Sequence, residues 1–331
     1  MPTPAQRQKL WPLFGAAIAL AGFGFYFVFF RGTRVTERPV DEPPTVSAVP
    51  TISADVDADG GPTTFVVKPG DRDWQLALRQ TVTRSSGDQK ARPLTTSIGL
   101  GVHDASLNQL PADDETGETF DPTLLYFDRT YHDAVVVVQE HRRRVGGGIT
   151  HEVERLIDSA SHRVALAHNG KVVDYLLTST EAAQLEELFA LMRDAMDILS
   201  PTFPREPINP GESWTRRIPI DSELSDDASV SVEGDIVLKS TFVGMVQRGG
   251  HRQAAVKAEI SSRGNGTIVP EDAEDQPRVG FTQHGGGKGV YYFDLADGAL
   301  DDSQFRYRAR TKFADDRGSV DRVVEMKLHR K

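Results

Sequence analysis

The stretch Ser179-Thr-Glu-Ala-Ala-Gln-Leu185-Glu-Glu-Leu188-Phe189-Ala-Leu-Met192-Arg-Asp-Ala195-Met196-Asp-Ile-Leu199 decides the reading of this chain. It is followed directly by Ser200-Pro201-Thr-Phe-Pro204-Arg-Glu-Pro207-Ile-Asn-Pro210-Gly-Glu-Ser-Trp214. Leu185, Leu188, Phe189, Met192, Ala195, Met196 and Leu199 recur at the spacing of one buried helical face. Glu181, Glu186, Glu187, Arg193 and Asp194 fall largely away from that face. Ser179 or Thr180 supplies an N-cap, so the pattern predicts a helix over 180–199. Pro201 and Pro204 lack the N–H that a further turn needs, and the chain beyond them must be extended. Pro210-Gly211 then signals a tight turn. Trp214, Arg216, Ile218 and Ile220 alternate beyond it as a new strand would.

On both sides of this helix the period changes from 3.6 to 2. Trp74, Leu76, Leu78 and Val82 alternate with polar residues, as do Ile98, Leu100 and Val102. Ala134 to Val138 reads as a strand covered on both faces, and Ile149, Val153 and Ile157 are read as a further strand. Asn169-Gly170 between Val164 and Val173 predicts a hairpin, because this pair supplies the positive φ angles of the turn. Later strands are expected around Val230 to Phe242, Ala254 to Ile260, Phe305 to Phe313 and Val324 to Leu328. The expected fold class is α+β: a large, mainly antiparallel sheet packed by the central helix 180–199. The sheet is read as either two related halves or a half-barrel. Lys68-Pro-Gly-Asp-Arg-Asp-Trp74 echoes Asn209-Pro-Gly-Glu-Ser-Trp214, each an acidic Pro-Gly turn leading to Trp, which favours two halves.

The amino-terminal region obeys different physics. No charged residue occurs between Lys9 and Arg31, and Leu13 to Phe30 is almost wholly apolar, long enough to cross a hydrocarbon core of roughly 30 Å. The run ends Phe27-Val-Phe-Phe30-Arg31 without the small residues of a cleavage site, so an uncleaved anchor is expected. The resulting organisation is a short tail (1–9), a transmembrane helix (10–31), a flexible linker (32–62) and a sheet domain (63–331). Residues 35 to 62 are rich in Pro, Thr, Ser, Ala and Asp and cannot bury enough apolar surface to fold alone. Arg7 and Lys9 precede the span while Arg31, Arg34 and Arg38 follow it, which leaves the charge rule close to balanced. Likeness to bacterial signal anchors favours a cytoplasmic N-terminus and an exported, periplasmic or extracytoplasmic domain.

Composition excludes several function classes. The 331 residues include no cysteine, so disulfides, thiolate metal sites and lipid attachment at cysteine are absent. The net charge is −10. It is more negative still beyond Arg38, which rules against a nucleic-acid surface. The chemical motifs fail on spacing. Asp55-Val-Asp57-Ala-Asp59-Gly60 starts like a calcium loop, but Val66 occupies the position of the bidentate Glu. His151-Glu152-Val-Glu154-Arg155 lacks the second His of a zinc protease. His284-Gly285-Gly286-Gly287 resembles an esterase oxyanion loop, yet no Gly-x-Ser-x-Gly supplies a nucleophile. The glycine runs 146–148 and 285–287 are read as loops or bulges between strands, and the dispersed histidines, His132, His141 and His151 among them, as exposed. The row Arg306, Arg308, Arg310, Lys312 is read as a solvated sheet face. No catalytic residue, metal or cofactor is expected, and the protein is read as a non-enzyme.

The helix ending before Pro204-Arg-Glu-Pro207-Ile-Asn-Pro210-Gly-Glu-Ser-Trp214 carries a resemblance. So do Gly285-Gly-Gly-Lys-Gly289, Phe293-Asp294 and Gly298-Ala-Leu300. Over residues 63 to 331 the chain resembles a family of uncharacterised bacterial cell-envelope proteins, and its architecture is similar to LolA-like lipoprotein carriers, in which a curved antiparallel sheet and helices enclose a greasy cavity. Many of the envelope proteins carry a lipid-attachment cysteine, which this chain replaces with its apolar N-terminal span. The resemblance implies a membrane-anchored binding module for a lipid or other apolar ligand. Trp74, Leu188, Met192 and Trp214 are the candidate cavity residues. The alternative is a scaffold that meets an envelope protein partner through its exposed sheet face.

Overall fold

The computed structural model describes residues 51–52, 56–57, 61–86, 89–90, 93–108, 121–140, 143–145, 147–179, 195–223, 230–268, 279–314 and 318–331. The period-2 pattern builds two groups of strands. The first comprises β1 (Arg72–Ser86), β2 (Gln89–Lys90), β3 (Leu94–Leu107), β4 (Leu124–Glu140), β5 (Arg143–Val145), β6 (Ser161–Ala167) and β7 (Val172–Leu177). The second comprises β8 (Ser213–Glu223), β9 (Val230–Arg248), β10 (His251–Ile268), β11 (Val279–Asp294), β12 (Ala299–Phe313) and β13 (Ser319–Arg330). All belong to one antiparallel sheet, in which eleven strands run β7-β6-β4-β3-β1-β13-β12-β11-β10-β9-β8. The short β2 pairs with β1, and β5 with β4.

The two meanders are joined by β1 and β13, with Trp74 opposite Arg330 and Ser85 opposite Ser319. They share one core. Leu76, Leu100, Phe242, Tyr291, Phe305 and Leu328 come from strands of both groups and are buried in a single cluster. Each such side chain contributes about 1.5–3 kcal/mol relative to exposure. The fold of the described residues is therefore mainly β, where the sequence reading gave α+β.

The strands expected from alternation are present, including the hairpin at Asn169-Gly170 between β6 and β7. Two expectations are corrected. Ile149, Val153 and Ile157 belong to a helix, Gly147–Asp158, and not to a strand. A spacing of four fits both periods, and here the sheet decides between them. β6 pairs with β4 only along Leu124 to Thr130. Beyond that point the helix takes the place of a strand, and its Glu154 and Asp158 carboxylates accept the N–H groups of Val136 and Ala134, each at 2.8 Å. The other correction concerns Gly285 to Gly287, which lie inside β11 and not in a loop. They leave room for aromatic rings lying flat on the sheet: a Cβ on Gly285 would meet the Tyr307 hydroxyl at 2.1 Å, and one on nearby Gly289 the Phe305 ring at 2.2 Å.

The gap between edge strands β7 and β8 is crossed by residues 195–208. Residues 195–199 are helical, with Ala195, Met196 and Leu199 buried, and the helix stops before Pro201 as expected. Three directions hold this segment. The Tyr291 hydroxyl donates to the Ile198 carbonyl at 2.7 Å from the sheet centre. Trp214 Nε1 donates to Thr202 O at 2.8 Å, and Arg216 pairs with Asp197, from β8. Asn169 exchanges hydrogen bonds with Phe203 from the β6–β7 turn. Pro210-Gly211 then makes the expected turn, with Gly211 at φ 90.

Part of the span read as a flexible linker is docked on the sheet. Asp57 exchanges backbone hydrogen bonds with Met245 at 2.8 and 3.1 Å. Ile52 and Val56 pack on an outer cluster of Val246, Ala255, Val290 and Tyr292. Apolar residues isolated in a polar segment have no period of their own, so this contact is set by the sheet surface they meet. Among the described residues no helix is long and apolar enough to cross a membrane; the span 10–31 lies outside them.

Candidate functional site

The crossing segment, the β6–β7 hairpin and the amino-terminal end of β1 enclose a cavity of about 50 Å³. Alternation along β1 turns Trp74 inward, and the helical turn at 195–199 brings Met196 opposite. Phe203, Phe293 and Leu300 complete an apolar wall. Phe203 is fixed by stacking on Phe65 with ring centroids 4.3 Å apart, and by an edge contact with Phe293 at 4.9 Å. Aromatic pairs of this kind add about 0.5–1.5 kcal/mol each beyond area burial.

The facing wall is charged. Arg72, Asp104, Arg129 and Tyr175 line it, and the first three are almost completely buried. Arg129 Nε and Nη2 donate to the two oxygens of Asp104 at 2.6 and 2.7 Å, a bidentate pair. Burial opposes the charge on Arg129, but the Asp104 carboxylate and its hydrogen bonds more than reverse this and hold its pKa above the ordinary value. Arg72 has no such fork. It donates to the carbonyls of Lys68 and Gly298 and lies over the Phe127 ring at 5.1 Å. Burial, reinforced by the like charges of Arg330 and Arg129 and opposed by Asp104, lowers its pKa to about 10. Two guanidinium groups thus share one carboxylate, and the wall carries a net positive charge at neutral pH.

Behind Arg129 the Tyr131 and Tyr175 hydroxyls hydrogen-bond each other, and burial raises the pKa of both. His162 lies against these rings, with centroids 4.5 Å from Tyr175 and 5.6 Å from Tyr131. Burial first, and then the charge of Arg129, lower the His162 pKa to about 4. The imidazole is neutral at pH 7.

Of the residues proposed from sequence, Trp74 lines the cavity, its Nε1 donating to Leu300 O at 3.4 Å. Trp214 does not: it stands behind Phe203, with ring centroids 6.1 Å apart. Leu188 and Met192 lie outside the described residues, as does most of the expected helix; Met196, one turn on from Met192, is a lining residue. The charged wall was missed. Its signal was present: Phe127, Arg129 and Tyr131 alternate on one face, as do Leu100, Val102 and Asp104, so an inward strand face leads directly to each charge. The basic row on β12 is exposed as expected, with Arg306 3.6 Å from Glu325, and Arg308 and Arg310 at 3.7 and 3.4 Å from Asp321. His132 and His151 are not buried, and His141 lies outside the described residues. Among the described residues no group of three His, Asp or Glu side chains gathers as a metal site.

No protein-family model matches the chain, and no curated protein is similar to it in sequence. Solved structures give weak likenesses to outer-membrane β-barrels. The transport unit of the autotransporter AIDA-I from Escherichia coli is 8% identical, over 78% of this chain and 90% of that one, with a TM-score of 0.19. The outer membrane protease OmpT from Escherichia coli is 8% identical, over 81% and 99%, with a TM-score of 0.18. Salmonella typhi OmpF in complex with daunomycin is 8% identical, over 78% and 98%, with a TM-score of 0.19.

Proposed function

We propose that this chain is a membrane-anchored protein of the bacterial cell envelope whose sheet domain binds a lipid or other apolar ligand without catalysing a reaction. One observation carries the reading: an apolar wall of Trp74, Met196, Phe203, Phe293 and Leu300 faces a buried guanidinium, Arg72, that shares the field of the Asp104 carboxylate with Arg129. Such a pairing of greasy and cationic walls suits an amphiphile with an acidic head. At about 50 Å³ the cavity admits only water-sized groups. Entry of an acyl chain therefore requires the 195–208 segment to swing outward. In this reading residues 10–31 anchor the protein, the sheet domain is exported, and the helix 180–199 packs the sheet. The two meanders, each opening on a Pro-Gly-acid turn and a Trp, are related halves.

The test is native mass spectrometry with lipid extraction on the full chain in detergent, comparing wild type with Met196→Asp. The anchor itself carries lipid, so the readout is the difference between the two. A stoichiometric lipid lost in a folded Met196→Asp variant supports the reading, and Arg72→Met should reduce the share of acidic lipid. Equal uptake by wild type and folded variant, or no bound lipid in either, rejects it. The alternative, a scaffold for an envelope protein, has the exposed row Arg306, Arg308 and Arg310 as its surface. Glu325 and Asp321 already offset two of those three charges, which weakens that reading. It predicts that charge reversal at Arg306 and Arg308 weakens partner capture.

A further inference from the structure

A second polar layer crosses the inner sheet face far from the cavity. Arg322 on β13 stands opposite Val82 on β1, whereas Trp74 stands opposite Arg330. The eight-residue offset is roughly 26 Å along the strand. Leu76, Leu100, Tyr291, Phe305 and Leu328 fill the interior between the two levels. Alternation places Gln80, Arg322, Tyr307 and Thr311 on the face that also carries Leu78, Val324 and Phe305. Register makes Gln80 and Arg322 diagonal neighbours, since Gln80 pairs with Val324, and Tyr307 is diagonal to Arg322 from the other side.

Arg322 is 3% exposed, and its Nε and Nη1 have no hydrogen-bond partner among the described residues. Gln80 is 1% exposed, and neither its amide nitrogen nor its amide oxygen is partnered among the described residues. The neighbouring hydroxyls are already engaged, Tyr307 with Ser262 and Thr311 with Gln283. Elsewhere the buried Arg129 and Arg163 pair with the carboxylates of Asp104 and Asp128, and the buried Arg72 donates to two carbonyls. Among the described residues Arg322 has no carboxylate partner, and burial lowers its pKa to about 10, which still leaves it charged at neutral pH. A buried cation and a buried amide left without partners are each strongly unfavourable unless something completes them.

We propose that the layer formed by Arg322 and Gln80 is an anion-binding site for a phosphate group. Arg322 supplies charge-assisted donors at Nε and Nη1, and the Gln80 amide nitrogen donates to a further oxygen. The Gln80 oxygen requires a donor, which a singly protonated phosphate or a phosphomonoester carries and a carboxylate does not. A singly protonated phosphate ion and the phosphomonoester head of a phosphatidic acid share this chemistry. The site goes beyond the lipid-cavity reading and does not rest on it.

The experiment is thermal denaturation and calorimetry on the full chain in detergent, titrated with inorganic phosphate and, separately, with soluble dihexanoyl phosphatidic acid. Wild type should gain Tm with at least one probe. Arg322→Met should weaken that binding roughly 30-fold or more, and Gln80→Leu should weaken it to a lesser degree. In phosphate-free buffer Arg322→Met should melt at or above the wild-type temperature, since it removes an uncompensated buried charge, and this shows that the variant folds. A response to both probes assigns the free ion as sufficient, and a response to the lipid alone assigns a headgroup. Met196→Asp should leave the response to inorganic phosphate unchanged, which separates this site from the cavity. The proposal is overturned if neither probe stabilises wild type, or if folded Arg322→Met responds as wild type does.

Discussion

His162 makes stability depend on pH in a window where an ordinary surface histidine would contribute nothing. Its ring is held between Tyr131 and Tyr175 near the Arg129 guanidinium, and its pKa falls from 6.5 to about 4 on folding. Between these values the unfolded chain binds a proton that the folded chain refuses. The contribution is therefore fully present above the unfolded pKa and is lost as the pH falls through 6.5 toward 4. Integrating over the two pKa values, the loss from pH 7.5 to pH 4.5 is about 2.5 kcal/mol. Carboxylates also titrate near the lower limit, so the measurement is a comparison. Urea denaturation of wild type and His162→Phe at both pH values gives two differences, and Phe keeps a ring between the tyrosines without a titrating nitrogen. The variant should lose about 2.5 kcal/mol less than wild type over this interval, whatever its stability at pH 7.5. Equal losses in the two proteins would refute the assignment of His162 as a neutral, buried imidazole.

Two further outcomes follow from the sheet interior. Asp104→Asn removes the charge that Arg129 grips with two hydrogen bonds, leaves the guanidinium buried without an anion, and should cost about 3–5 kcal/mol in a chemical denaturation experiment. A double-mutant cycle with Arg129→Met should recover much of that loss. Gly289→Ala drives a Cβ into the Phe305 ring, which is fully buried and cannot move aside, and should cost about 1–3 kcal/mol. Adding Phe305→Leu to Gly289→Ala should reduce the additional penalty, as read from the same unfolding curves.

The strands were legible where one face is greasy and the other wet, as on β1, β3, β10 and β12. Alternation requires only that each side chain point up or down, and that much survives any tertiary arrangement. What alternation cannot convey is the chemistry of an inward position. Arg322, Gln80 and Asp104 occupy inward places in their strands, where their polar side chains interrupt the apolar row that alternation follows. Glycines failed for the opposite reason: Gly285 and Gly287 carry no side chain to mark a face, and the rings of Tyr307 and Phe305 that cover this part of β11 come from the next strand. Ile149, Val153 and Ile157 were ambiguous locally. Their conformation depends on β6 stopping short, a fact fixed by pairing with β4 and not by their own spacing. The cavity was half legible: Trp74 marked its greasy wall, whereas Trp214 at an equivalent turn was diverted to support Phe203.

The pairing of β1 with β13 also sets an order of events in time. During synthesis β1 emerges first, and its partner on one side is the last strand of the sheet. At roughly 5–20 residues per second, the roughly 240 residues that follow β1 take on the order of 10–50 s to make. Throughout that interval the first meander exposes a strand edge fifteen residues long, bearing Leu76 and Leu78 beside unpaired backbone groups. A newly made chain of this protein is therefore a client for whatever shields sheet edges in its compartment, and loss of the final strand would leave that edge open for the life of the molecule.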